Sequence, residues 1–233
     1  MIGITFALPS ESSDLIRRLQ SQRQHDNLIL GTIDNRKVAI VHTGVGGQHC
    51  SQRLEILIHK ARPKFVISAG FAGAVSDALN FGDLILAENF SDSELLDTAE
   101  RILSKRQPQR VKLFTSTSIV DSISERNEIA RASRASAVDM ETGAIVAVCR
   151  SHGVPLLSFR AISDTPREAF PAPPAVLFDV EFQRTSYGRL ASYLLRHPGS
   201  IPRLVSFSRH IAYARARLTD GVVDLLPALG QEI

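Results

Sequence analysis

Four short stretches of this 233-residue chain carry side chains that move protons or grip hydroxyls. Glu11 follows an opening apolar run, Ile2–Leu8. Gly70–Gly73 follows a second run, Lys64–Ala69. Asp139, Met140 and Glu141 stand just before a helical pattern. Ser163 and Asp164 close a third apolar run, Pro155–Ile162. If these runs are neighbouring strands, carboxylates at three of the four exits can converge on one pocket. One would then activate a water or protonate a leaving group, and another would hold sugar hydroxyls. Taken singly, each carboxylate also reads as a helix cap or a partner of the helix dipole, and spacing alone leaves both readings open.

Other chemistries are poorly served. Neither Gly44-Val45-Gly46-Gly47 nor Gly70-Phe71-Ala72-Gly73 has the GxGxxG spacing, and no GxxxxGK[ST] occurs. A dinucleotide or P-loop site is therefore not expected. Glycines at such exits either let a ligand approach the backbone or make a tight turn. The seven histidines are scattered, with no HxxxH or HExxH pair, so no metal is expected. Cys50 and Cys149 each fall on the apolar stripe of a helical pattern, which reads as core packing. No GxSxG elbow supports a serine hydrolase.

The elements that must position these residues alternate. Ile2–Leu8 reads as a buried strand, and Pro9-Ser10-Glu11 as a helix start with Leu15 and Leu19 inward. Leu28–Ile33 and Lys37–Thr43 read as strands joined by an Asp34-Asn35 turn. Cys50, Leu54, Leu57, Ile58 and Ala61 recur at helical spacing, and Pro63 ends that helix. Lys64–Ala69, Asp83–Glu88 and Pro155–Ile162 are further strands, Ser136–Met140 is a short strand or its exit, and Val111–Val120 is extended. Glu94–Lys105 and Thr142–His152 are helices. Phe170–Ala175 (FPAPPA) is a rigid connector or lid, and most of Arg189–Leu226 is helical. Apolar strands alternating with helices point to an α/β layer fold around a central sheet, with ligands at the strand carboxyl ends.

Composition bounds the class. With 44% hydrophobic and 22% charged residues the chain is near the globular average, which excludes disorder and collagen-like structure. No apolar run approaches the roughly 18 residues of a membrane span. The N-terminus lacks the basic start of a signal peptide. Two cysteines cannot build a disulfide framework. A single cytoplasmic domain over residues 1–233 is expected. The net charge of +3 is unevenly spread. No acidic residue lies between Glu181 and Asp220, a stretch holding Arg184, Arg189, Arg196, Arg203, Arg209, Arg215 and Arg217. This basic helical C-terminal extension, 189–226, suits either an anionic partner such as a membrane surface or nucleic acid, or a solvated helical face.

The order of the motifs resembles the nucleoside phosphorylase superfamily, especially its methylthioadenosine/S-adenosylhomocysteine nucleosidase branch. The resemblance rests on IGITFALPSE, HTGVGG, ISAGFAGAVSDALNFGDLILAE and AVDMETGAIVAVCRSHGVPLLSFRAISD, in family order from residue 2 to residue 164. It implies a three-layer fold with a central mixed sheet flanked by helices. It also implies a homo-oligomer acting on a small-molecule nucleoside, with no cofactor and no nucleic-acid partner.

Roles follow residue by residue from that resemblance. Glu11 is similar to the carboxylate that activates the attacking water, and Asp164 to the acid that protonates the departing purine. Such an acid must be protonated near neutral pH, which burial favours. Glu141 resembles the residue that binds ribose hydroxyls, and Met140 the one packed beneath the sugar, with Asp139 beside them. Arg160 and Ser163 match residues that support the aspartate. Phe71, Ala72 and Gly73 occupy the loop beside base and sugar, and Ile119 and Val120 the apolar wall of the base. Three departures stand out. Asn89–Arg110 is shorter than in the nucleosidases, and Phe71 replaces a small residue. Ser68 stands where phosphorylases of the superfamily commonly hold phosphate with arginine. The leading expectation is a purine nucleosidase. A phosphorylase for a nucleoside with a bulky or lipid 5′ substituent is the alternative, because the tail loosely resembles that of hopanoid-associated phosphorylases. A non-catalytic nucleoside-binding protein is the third reading, and the three retained carboxylates count against it.

Overall fold

The computed structural model describes residues 1–167, 172, 173, 176 and 187–229. Strand β1 (Ile2–Phe6) is buried at every residue. Its unbroken apolar sequence follows from being covered on both faces. It runs parallel to β4 (Arg36–His42) on one side and to β5 (Val66–Ala74) on the other, and β10 (Leu156–Asp164) continues the parallel core beyond β5. The edges are β2 (Gln20–His25) with β3 (Leu28–Ile33), and β6 (Leu84–Ala87) with β7 (Gln109–Val111). The order is β2-β3-β4-β1-β5-β10-β6-β7. Strand β9 (Ala137–Asp139) pairs antiparallel with the end of β5, and β8 (Leu113–Thr115) pairs with β9. Because β6 is antiparallel to β10, the sheet is mixed, as expected.

Helices cover both faces. Leu54 and Leu57 of α2 (Gly47–Ala61) and Ile145 and Cys149 of α5 (Thr142–Ser151) form one apolar cluster with Val41 and Val66. Leu15 of α1 (Pro9–Ile16) and Leu95, Leu96 and Ala99 of α3 (Ser93–Ile102) form another with Ile4, Phe6, Ile67 and Phe159. Both cysteines are buried core residues, and burial pushes each thiol up to about 12.

The tail divides in two. Helices α6 (Tyr187–Arg196) and α7 (Ile201–Leu229) occupy the expected helical stretch. The second half of α7 is no appendage. Leu218, Val222, Leu225, Leu226 and Leu229 are fully buried in the same cluster as β1, β5 and β10. The approach is close: a Cβ on Gly221 would lie 2.6 Å from the ring of Phe159. Apart from Ala172 and Pro173, the FPAPPA segment lies outside the described residues.

Several boundaries differ from the sequence reading. Asp34 and Asn35 both have positive φ (46° and 62°), the pattern of a two-residue type I′ hairpin turn. Asp26 and Asn27 repeat it (49° and 65°) and join β2 to β3. Strand β2 was not expected, because its sequence QSQRQH is exposed throughout and has no apolar alternation to show. Helix α4 (Ile123–Ser133) was also missed. Its signal was the Ser122-x-x-Glu125 pattern: the Ser122 hydroxyl accepts the Glu125 N–H at 3.1 Å. The expected extended run Val111–Val120 breaks up, with only β8 and the end of β7 inside it.

The largest correction concerns the glycine segment. Gly70–Gly73 does not end its strand but lies within β5. Gly70, Phe71 and Ala72 pair with Arg160, Ala161 and Ile162 of β10, and Gly73 pairs with Val138 of β9. A ladder on both edges gives the backbone partners and lets the strand continue. Ser163 and Asp164 are likewise the last residues of β10 rather than a loop after it. The register slips between Ile162 and Asp164. Such a bulge re-aims the side chains that follow it.

Candidate active site

The carboxyl ends of β1, β5 and β10 open on a cavity of about 240 Å³. Glu11, Phe71, Ala72, Gly73, Ile119, Val120, Asp139, Met140, Glu141, Ser163 and Asp164 all line it. Eleven of the twelve site residues expected from the sequence are thus brought together by the sheet. The twelfth, Arg160, lies beneath the cavity, against Ser68 and Asp139.

Glu11 stands in the first turn of α1 and serves two purposes at once. Its Oε2 accepts the N–H of Leu8 at 3.0 Å, a helix-start contact, and its Oε1 accepts the N–H of Phe71 at 3.2 Å. The second bond fixes the carboxylate against the middle of β5. Burial raises the carboxyl above its ordinary value. The two N–H donors and the charge of Arg160 offset part of that rise.

Glu141 immediately precedes α5, and its Oε1 accepts the N–H of Gly46 at 3.2 Å. Burial, then the charges of Asp139 and Glu11, push its carboxyl up to about 8. A carboxyl raised in the folded state binds protons there more tightly than in the unfolded chain. Its neutral form is the stable one, so folding stability is fully present below the ordinary carboxylate value of 4.5 and is lost as pH rises towards about 8. Glu141→Gln should therefore flatten the decline in melting temperature of the ligand-free protein between about pH 5 and pH 9. Parallel melting curves for the two proteins across that range would show that Glu141 carries no such cost.

Asp139 lines the cavity, but its carboxylate is already engaged. It accepts from Nε and Nη2 of Arg160 at 3.2 and 3.1 Å, from Thr115 at 3.1 Å and from the Thr142 hydroxyl. Arg160 also donates to the Ser68 carbonyl and, at 2.8 Å, to the Ser68 hydroxyl. This network ties β5, β9, β10 and α5 together under the cavity. Two expectations change. Asp139 holds the cavity floor rather than offering a free oxygen. Arg160 supports Asp139, not Asp164, because it sits four residues earlier on the same strand.

Asp164 is supported from elsewhere. Ser163 donates its hydroxyl to Oδ1 at 2.7 Å, as expected. The guanidinium of Arg126, on α4, is ion-paired with Oδ2. Arg126 also donates to the carbonyls of Ala74 at 2.6 Å and Val120 at 3.1 Å. Both partners are buried, Arg126 to 2% exposure and Asp164 to 5%. The sequence reading placed Asp164 in burial alone; the structure gives it a cation. Nothing in the spacing singles out Arg126 from Arg131 and Arg134 of the same segment, so only the fold reveals it. Gly73 makes room for the pair, since a Cβ there would lie 2.8 Å from Asp164 Oδ2. Ala7, Leu8, Val45, Ser118 and Val138 complete the lining and were not singled out by sequence.

Comparison with known proteins agrees with this fold. The family model described as "Phosphorylase superfamily" matches residues 1–111 and 89–197. A 5′-methylthioadenosine/S-adenosylhomocysteine nucleosidase of Staphylococcus haemolyticus is 26% identical over 196 residues, covering 70% of this chain and 86% of the relative. The solved nucleosidase of that name from Streptococcus pneumoniae, with a transition-state inhibitor, superposes with a TM-score of 0.75 at 21% identity. That match covers 98% of this chain and 99% of the other. A futalosine hydrolase mutant of Helicobacter pylori matches at a TM-score of 0.61 and 18% identity, over 69% of this chain and 88% of its own.

Proposed function

The chain belongs to the phosphorylase superfamily, and on that footing we propose that it is a nucleosidase hydrolysing the N-glycosidic bond of an adenosine-like purine nucleoside. The observation that carries water rather than phosphate as nucleophile is the charge of the cavity. Glu11, Glu141 and Asp164 line it, and none of the described lining residues is Lys, Arg or His. A phosphate placed about 4 Å from the Glu11 carboxylate, ionised as the base, would meet a repulsion of about 4 kcal/mol per charge pair at the effective dielectric of a protein surface. Water meets none.

In this reading Ile119 and Val120 pack against the base, Met140 lies beneath the ribose and Glu141 orders its hydroxyls. As the bond from C1′ to the base lengthens, positive charge grows on the sugar and negative charge on the purine. Asp164, protonated from solvent for the step, hands that proton to the leaving base and returns to the anion that Arg126 balances. Glu11 takes a proton from water while the water oxygen bonds to C1′, giving free ribose and free base. The proton gained by Glu11 and the one lost by Asp164 balance through solvent before the next turnover. On the same reading the whole chain acts as one unit, in the cytoplasm, as a homo-oligomer.

Product analysis with and without inorganic phosphate tests the proposal. Turnover should persist without phosphate and yield the free sugar. Strict phosphate dependence with a sugar 1-phosphate product would replace the hydrolase by a phosphorylase.

A further inference from the structure

The first half of α7 presents two unlike faces. Leu204, Phe207 and Ile211 recur along one side and are half-buried. On the other side Ile201, Val205 and Arg209 follow one another at four-residue spacing, all exposed. Ile201 and Val205 retain 47% and 45% exposure. At the end of α6, just across the His197–Ser200 connection, Leu195 is 85% exposed. Arg196 directly follows Leu195 and Arg209 stands one turn beyond Val205, both exposed, whereas the exposed Arg203 projects from the opposite side of α7.

The charge of this tip is one-sided. No acidic residue lies between Glu181 and Asp220. Further along α7 the arginines are used internally: Arg215 pairs with Asp14 at 2.9 Å, and Arg217 donates to the Arg106 carbonyl. Arg196, Arg203 and Arg209 make no ion pair among the described residues.

We propose that the α6–α7 tip docks on an anionic membrane surface. Leu195, Ile201 and Val205 enter the boundary between headgroups and acyl chains, while the flanking arginines reach the lipid phosphates with their aliphatic stems along the apolar surface. Charge decides between occupants. A second copy would bring a like-charged tip against this one, whereas an anionic leaflet attracts it. Nucleic acid would use the arginines but leave three aliphatics without a partner. Docking is peripheral, because no described helix is long and apolar enough to cross a membrane. The inference does not depend on which nucleoside the cavity takes.

Flotation of the full chain with vesicles tests it, using phosphatidylcholine alone and phosphatidylcholine mixed with phosphatidylglycerol. The wild type should float with the anionic vesicles only, and added salt should weaken binding. The triple variant Leu195→Ser, Ile201→Ser, Val205→Ser should lose about tenfold or more of that partitioning. Arg196→Gln with Arg209→Gln should lose it comparably, whereas Arg203→Gln, on the opposite side of α7, should lose far less. All should keep the circular dichroism melting curve of the wild type, since the altered side chains are exposed. Equal flotation of the wild type and the apolar triple variant would overturn the proposal. So would absence of binding to anionic vesicles at moderate salt. Sedimentation velocity provides the last arm: self-association abolished by the same apolar triple variant, without vesicle binding, would assign the tip to a second copy instead.

Discussion

Asp164→Asn is expected to lower turnover by about 10²–10⁴-fold, the usual loss when a general acid is removed. It is also expected to destabilise the protein, which the sequence did not foretell. Arg126 is ion-paired with Asp164 inside the protein, and both are buried. Asn keeps an acceptor oxygen for the guanidinium but no charge. Breaking a buried pair by removing one partner costs about 3–5 kcal/mol, because the remaining ion is left uncompensated. Lost activity in the single variant could therefore be lost structure. The double variant Arg126→Gln with Asp164→Asn separates the two effects. It removes both charges and should recover much of the stability in chemical denaturation, yet stay inactive in single-turnover assays. If the single variant keeps most of the wild-type rate, or the double variant regains it, Asp164 is not the acid.

Glu11→Gln is the second large effect. A general base contributes about 10²–10⁴-fold, and hydrolysis should fall by that order while the free base still binds. The amide also fits its setting badly. Both carboxylate oxygens accept backbone N–H groups, from Leu8 and Phe71, and a Gln side chain has an oxygen for only one of them. Because burial raises the Glu11 carboxyl, the base is ionised only above the ordinary carboxylate range. The wild-type kcat/KM should therefore drop on the acid side at a pH above that range, losing activity as pH falls. The residual activity of Glu11→Gln should lack this dependence on Glu11. Glu141 also titrates here, up to about 8, so the acid limb belongs to the pair rather than to either residue. Comparing Glu11→Gln with Glu141→Gln shows which carboxylate the limb follows. An unchanged rate and pH profile in Glu11→Gln would remove it from catalysis.

Much of the fold was legible because the signals are local. A fully covered strand must be apolar on both faces, so Ile2–Phe6 and Leu156–Ile162 declared themselves. A two-residue hairpin turn needs positive φ, so Asp34-Asn35 did too. Strand β2 was silent because it is exposed on both faces, and pairing through the backbone leaves no side-chain pattern. The continuation of β5 through Gly70–Gly73 was silent for a related reason. Glycine marks a possible break, and only the neighbours β9 and β10 decide that the strand goes on.

The sequence by itself determined which carboxylates would meet. Asp164 ends an apolar strand, Glu141 stands just before a helix and Glu11 in the first turn of one, and a parallel sheet gathers such ends on one side. Tertiary structure alone decided what each carboxylate touches. Arg160 stands out in sequence within the RAISD motif, and Arg126 does not, but neither shows which carboxylate it meets. Position on β10 commits the first to Asp139 and the cavity floor, while α4 carries the second to Asp164. The same holds for the tail, whose basic helical run is continuous in sequence. The sheet buries Leu218, Val222, Leu225, Leu226 and Leu229 of α7 and leaves Ile201 and Val205 in water. Ion pairing and burial depend on distances between segments far apart in the chain, and no local period records them.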